Sequence, residues 1–204
     1  GSSVSVEAGS DIVNFTDKVA DINPTYGYKG AIYLNNGTLN ISGESLNISG
    51  IASAYNENGE LNIDGANNYA GWQNGNSTVS INANSVYVGQ EGIGDRGFQF
   101  KGADNTLTVQ ANNFVAYVGD SLINAQGDNS GSSVVNFGTA DNRIGHFEAH
   151  GTWGKNVSYT ALLQVNEGNT VNVYANDAIL TGPGADSLTG GVIGTGSYGT
   201  VNVG

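Results

Sequence analysis

The chain has 204 residues, no cysteine, no methionine, 6 basic and 18 acidic side chains, and a formal net charge of -12. These numbers exclude disulfides and thiolate metal sites. They disfavour nucleic acid and anionic lipid as partners, since phosphates demand a basic surface. Charged residues make up 12 % of the chain, while Val, Ile and Leu are plentiful, so the composition is that of a folded and not a disordered protein.

One pattern recurs along the chain: an apolar residue, a small polar one, an apolar one, a spacer, then a small residue. It begins at Val4-Ser5-Val6, with Ala8 as the small residue, and a second apolar pair follows at Ile12-Val13. Val19 to Ile22, ahead of Pro24, could form a single helical turn, and Tyr26 and Tyr28 after it are candidate exposed stacking groups. Ile32-Tyr33-Leu34 reads as a strand, and Asn35-Asn36-Gly37 as a sharp turn. The pattern returns at Leu39-Asn40-Ile41 with Gly43, followed by Leu46-Asn47-Ile48. It returns again at Leu61-Asn62-Ile63 with Gly65, and at Val79-Ser80-Ile81 with Ala83. Further copies are Leu107-Thr108-Val109, Val135-Asn136-Phe137, Val171-Asn172-Val173 and Val201-Asn202-Val203.

A second strand precedes most copies (at Trp72-Gln73, Phe98 to Phe100, Leu122-Ile123, Leu162 to Val165 and Val192-Ile193). A third follows, as in Val86 to Val88, Phe114-Val115 and Ile179-Leu180. The period varies while the local motif is kept. That is expected of short fixed strands joined by connections of variable length. The small residue after each apolar pair marks a bend against the core. The predicted fold is all-β: a right-handed, single-stranded parallel β-helix of about seven turns with three short strands per turn. It is read as one continuous segment over residues 1–204, an interior piece of a larger chain.

The segments Thr38 to Gly43, Thr78 to Ala83 and Thr170 to Ala175 resemble the coils of passenger domains of bacterial autotransporters, the type V secretion family. The resemblance implies display at the bacterial surface or secretion, and adhesion, aggregation or biofilm formation. No catalytic motif of a protease-type passenger is present to carry over, so the reading is a non-catalytic adhesin. Its partners would be a host or bacterial surface glycan or protein, or further copies of itself. It has no nucleic acid partner, no direct membrane insertion and no cofactor.

Two candidate sites follow. One is the outward ladder of Asn40, Asn62, Ser80, Thr108, Asn136 and Asn172, an uncharged hydrogen-bonding face suited to self-association; its bland alternative is a solvated face that keeps the protein soluble. The other is residues 141–160, read as a long loop excursion. It gathers Arg143, His146, Glu148, His150, Trp153 and Tyr159 in an otherwise monotonous chain and suits a surface ligand such as a sugar. His146, Glu148 and His150 would share a face if extended, which raises zinc, but no metal is assigned. Acidic turns such as Asp104-Asn105 raise calcium, although Asn and Asp at corners mostly cap their own backbone. Polysaccharide cleavage would need carboxylates converging beside a base or cation, and the acidic residues are scattered along the sequence.

Overall fold

The structure is a computed structural model that describes residues 2–18, 29–51, 68–89, 96–125, 131–151, 161–183, 191–196 and 198–204. The described residues form seventeen strands and no helix. In chain order these are β1 (Ser3–Glu7), β2 (Ile12–Lys18), β3 (Lys29–Asn35), β4 (Thr38–Ile51), β5 (Asn68–Asn74) and β6 (Thr78–Gly89). Next come β7 (Arg96–Lys101), β8 (Thr106–Gln110), β9 (Asn113–Val118), β10 (Ile123–Ala125), β11 (Val134–Phe137) and β12 (Ile144–Gly151). The last are β13 (Ala161–Val165), β14 (Thr170–Val173), β15 (Ala175–Thr181), β16 (Gly191–Thr195) and β17 (Thr200–Val203).

Among the described strands all pairing is parallel and falls into two sheets. The six-stranded sheet runs β16-β13-β10-β7-β5-β3. The eleven-stranded sheet follows the path β15-β12-β9-β6-β8-β11-β14-β17, with β4 joined to β6 and carrying β1 and β2 on its other edge. The recurring motif sets the register. Val4 pairs with Leu39, Leu39 with Val79, Val79 with Leu107, Leu107 with Val135, Val135 with Val171, and Val171 with Val201. Leu39 and Val79 are direct partners, so no copy of the motif stands between them. The copy at Leu61 and Ile63 lies outside the described residues.

β4 and β6 are long because each passes through two pairing regions. Their inward residues are spaced by two, then by three, then by two: in β6, Val79, Ile81 and Ala83 are buried, and then Val86 and Val88. The change of phase falls just after the small residue, at Ala83 in β6 and Ala111 between β8 and β9, both nearly buried. A side chain larger than Ala there would have to enter the core. Beyond this point β6 stops pairing with β8 and pairs with β9.

The inward residues of both sheets make one apolar core, which the sheets nearly close around. At its centre Phe114 and Phe147 stack at 4.9 Å and 6°, and Phe137 meets both edge-on at 5.0 and 5.1 Å. Trp72, in β5, is 5 % exposed.

The corners before the motif strands hold a second, polar spine. Asn36, Asn76, Asp104, Ser132 and Tyr198 have φ of 52, 51, 63, 64 and 68°, each two residues before such a strand. The residue after each of the middle three is buried and polar: Ser77, Asn105 and Ser133, with Asn169 at the matching place before β14. Asn105 Oδ1 accepts from the Ser77 amide at 3.2 Å, and Asn169 Oδ1 from the Ser133 amide at 2.9 Å. Asn105 Nδ2 donates to the Lys101 and Gly102 carbonyls, both at 2.9 Å. The amide oxygens of Asn105 and Asn169 thus give acceptors to backbone N–H groups that the tight corners turn inward. The backbone-capping expectation for Asn105 is thereby met.

Candidate functional site

The eleven-stranded sheet presents two outward faces. The first is the ladder. The register aligns Ser5, Asn40, Ser80, Thr108, Asn136, Asn172 and Asn202 in one row. Asn172 Nδ2 donates to Asn136 Oδ1 and Asn202 Nδ2 to Asn172 Oδ1, each at 2.8 Å. A parallel row runs Ser3, Thr38, Thr78, Thr106, Val134, Thr170 and Thr200. A third row, Glu7, Ser42, Asn82 and Gln110, borders a shallow cleft of about 290 Å³ whose floor includes Ile41 and Ile81. Glu7 is the only charged residue in these rows. The ladder expected from sequence is therefore assembled at Asn40, Ser80, Thr108, Asn136 and Asn172. Asn62 lies outside the described residues, and Asn40 and Ser80 are adjacent without it.

The second face corrects the reading of residues 141–160 as a loop. Ile144–Gly151 is strand β12, paired with β9 on one side and β15 on the other. The irregular excursion among the described residues is the short stretch before it, where Gly138 takes φ 69° and the Thr139 amide donates to the Asn142 carbonyl at 2.9 Å. The physical reason is alternation from Phe147 on: Phe147 and Ala149 are fully buried, as is Ile144 three residues earlier, so the strand contributes core on one side and its polar residues on the other. Trp153 and Tyr159 lie outside the described residues, as do Tyr26, Tyr28 and the suggested helical turn at 19–22. Arg143 is exposed, and its guanidinium donates to the Ala175 carbonyl at 3.4 Å.

His146, Glu148 and His150 do share the outward face of β12. His146 Nδ1 donates to Asp177 Oδ2 at 2.7 Å, and His146 Nε2 lies 3.1 Å from Glu148 Oε2. His150 Nε2 lies 2.6 Å from Glu148 Oε1, and its ring stacks on Tyr117 at 5.1 Å. The hydrogen bond to Glu148, then that to Asp177, raises the His146 pKa above its ordinary 6.5. Hydrogen bonds from His150, then His146, hold Glu148 below its ordinary 4.5. The two rings and two carboxylates are thus linked in one hydrogen-bonded chain. Among the described residues no group of three or more His, Asp or Glu is arranged to hold a metal ion.

Asp177, which the sequence reading did not set beside the histidines, is in β15 as the register partner of His146. Tyr117 was missed as well. Both could have been found by extending the motif alignment one strand further, because they share the register of β12.

Comparison with protein-family models, curated proteins and solved structures finds no match for this chain. Among the described residues no helix is long and apolar enough to cross a membrane.

Proposed function

We propose that this chain is a non-catalytic adhesin of the bacterial surface or extracellular space, similar to an autotransporter passenger domain, whose ladder face docks on further copies of itself and so drives cell aggregation and biofilm formation. Its strands wind as a right-handed parallel β-helix of about seven turns, three strands to a turn. Parallel crossovers are overwhelmingly right-handed, which supports that hand. The observation that carries the functional reading is the continuous Asn/Ser/Thr ladder with flanking rows that hold a single charge, at Glu7. In a chain of net charge -12, a face bearing one carboxylate over three rows is where two like-charged copies approach with least repulsion. Amides and hydroxyls offer both donors and acceptors, so two such faces are self-complementary. Binding of a surface glycan or protein remains the second partner class, and the cleft beside Ser42 and Asn82 suits it by its mixture of hydroxyl, amide and apolar floor.

Sedimentation velocity over a range of protein concentration, at low and high salt, tests the reading. Reversible association that strengthens with salt is expected. The triple variant Asn40→Lys, Asn136→Lys, Asn172→Lys should sediment as a monomer with an unchanged circular dichroism spectrum. Association of that variant equal to the parent chain would refute the ladder as the docking face.

A further inference from the structure

We infer that the Asp177–His146–Glu148–His150 chain is a proton-operated clasp that fastens strand β15 to β12 in mild acid and slackens as the pH rises. The argument starts from stoichiometry at one ring. Both nitrogens of His146 face carboxylate oxygens, Asp177 at 2.7 Å and Glu148 at 3.1 Å. A carboxylate only accepts, so both contacts need an N–H, and only the imidazolium has two. A neutral ring has one N–H and must leave one of the two carboxylates facing a lone pair. The Glu148 contact lies within β12, whereas the Asp177 contact crosses to β15, so loss of the second proton competes directly with the link between strands.

The surroundings make this link count. β15 ends the strand path of its sheet and pairs only with β12 among the described strands. Four of its seven residues in a row, Asn176 to Ile179, are exposed. Few side-chain contacts therefore assist its backbone ladder. The groups facing His146 are accounted for element by element among the described residues. β12 supplies Glu148 and His150, β15 supplies Asp177, and β9 supplies Asn113, Val115 and Tyr117, none charged at neutral pH. Arg143 is engaged at the Ala175 carbonyl. Protonation of His146 therefore places one positive ring between two negative groups.

The sign follows from the direction of the shift. The His146 pKa is raised above 6.5, so its contribution is fully present below 6.5 and is lost as pH rises through the higher folded value. The partners are partly exposed, which limits the effect to that of a surface pair, a few-fold in an opening equilibrium.

Hydrogen exchange of the 204-residue chain, read by mass spectrometry or NMR at pH 5.5 and 8.5 and corrected for intrinsic rates, tests the clasp. Strand β17 is an edge of the same sheet with no titratable side chain and serves as the internal reference. The protection of Ala175–Thr181 relative to Thr200–Val203 should be about threefold higher at pH 5.5 than at pH 8.5, the scale of an exposed ion pair. The ratio should become independent of pH in His146→Gln and, separately, in Asp177→Asn, while Asp141→Asn, a nearby carboxylate outside the chain, leaves it unchanged. A ratio that does not change with pH in the parent chain, or that changes equally in both variants, overturns the inference. Should one variant lose its β17 protection and so fail to fold, the other decides.

Discussion

Replacing Asn169 by Ala removes one side chain that reaches three backbone groups. Its Oδ1 accepts from the Ser133 amide at 2.9 Å, and its Nδ2 donates to the Ala125 carbonyl at 3.0 Å and the Asn166 carbonyl at 2.6 Å. Asn169 itself is 1 % exposed, so water does not replace these partners without local opening. Each buried group left without a partner costs about 1–3 kcal/mol. The Ala125 and Asn166 carbonyls keep backbone donors, from the Asn166 and Asn169 amides, so the loss centres on the Ser133 amide and is expected at about 2 kcal/mol. Asn172→Ala is the control. It removes amide bonds to Asn136 and Asn202 on the open face, where water substitutes, and should cost under about 1 kcal/mol. Urea unfolding followed by far-ultraviolet circular dichroism measures both, provided that the slope m is shared, which marks an equal change in exposed surface. A loss of under about 1 kcal/mol for Asn169→Ala at unchanged m would refute the reasoning that the corner amides hold the fold. So would equal losses for the two variants.

Three further outcomes are expected. Phe147→Ala opens the aromatic centre formed with Phe114 and Phe137 and should cost about 3–5 kcal/mol in the same unfolding experiment, with a Phe114/Phe147 double-mutant cycle returning about 1 kcal/mol of coupling. Gly89→Ala should be worse than Gly168→Ala by more than about 1 kcal/mol. Both glycines have positive φ, 71 and 72°, but a Cβ at Gly89 would run into the Tyr117 carbonyl oxygen, whereas Gly168 has open space. The acid limb of the stability curve should carry Glu148. Its pKa is lowered, so its contribution is present above 4.5 and is lost as pH falls through the lower folded value; Glu148→Gln should therefore flatten the fall in the urea midpoint between pH 5 and pH 3.

The strand inventory was legible because the motif couples two signals, period-two apolar alternation and a small residue where the phase changes. Leu46, Val86 and Phe114 each lie five residues after the last apolar residue of their motif, at Ile41, Ile81 and Val109, and all three are in register. Phe147 occupies the same register as Phe114 and Ala178 but lies ten residues after Phe137. That extra length, together with Gly145 and three polar residues, disguised β12 as a loop. Its binding residues were consequently grouped by closeness in sequence, when His146 meets Asp177 across 31 residues. The ladder face was legible because identical residue types recur at one motif position. The buried corner spine was not, since Ser77, Asn105, Ser133 and Asn169 look like ordinary turn residues. Only the stacking of corners turns them into interior groups.

The register has a bearing on how such a chain acquires its shape. Motif strands find their partners 28, 30, 35, 36 or 40 residues away. Among the described strands no pairing requires the two ends of the chain to meet, and none pairs with its immediate successor as a hairpin would. The first closed unit is therefore the slow event, because it must gather a loop of some thirty residues before any ladder rewards it. Once it exists, its exposed edge is a template, and each later addition repeats the same modest closure against a ready surface. Acquisition of structure becomes growth from a seed, with a rate set by nucleation and an extent set by how much chain has been presented to the growing edge.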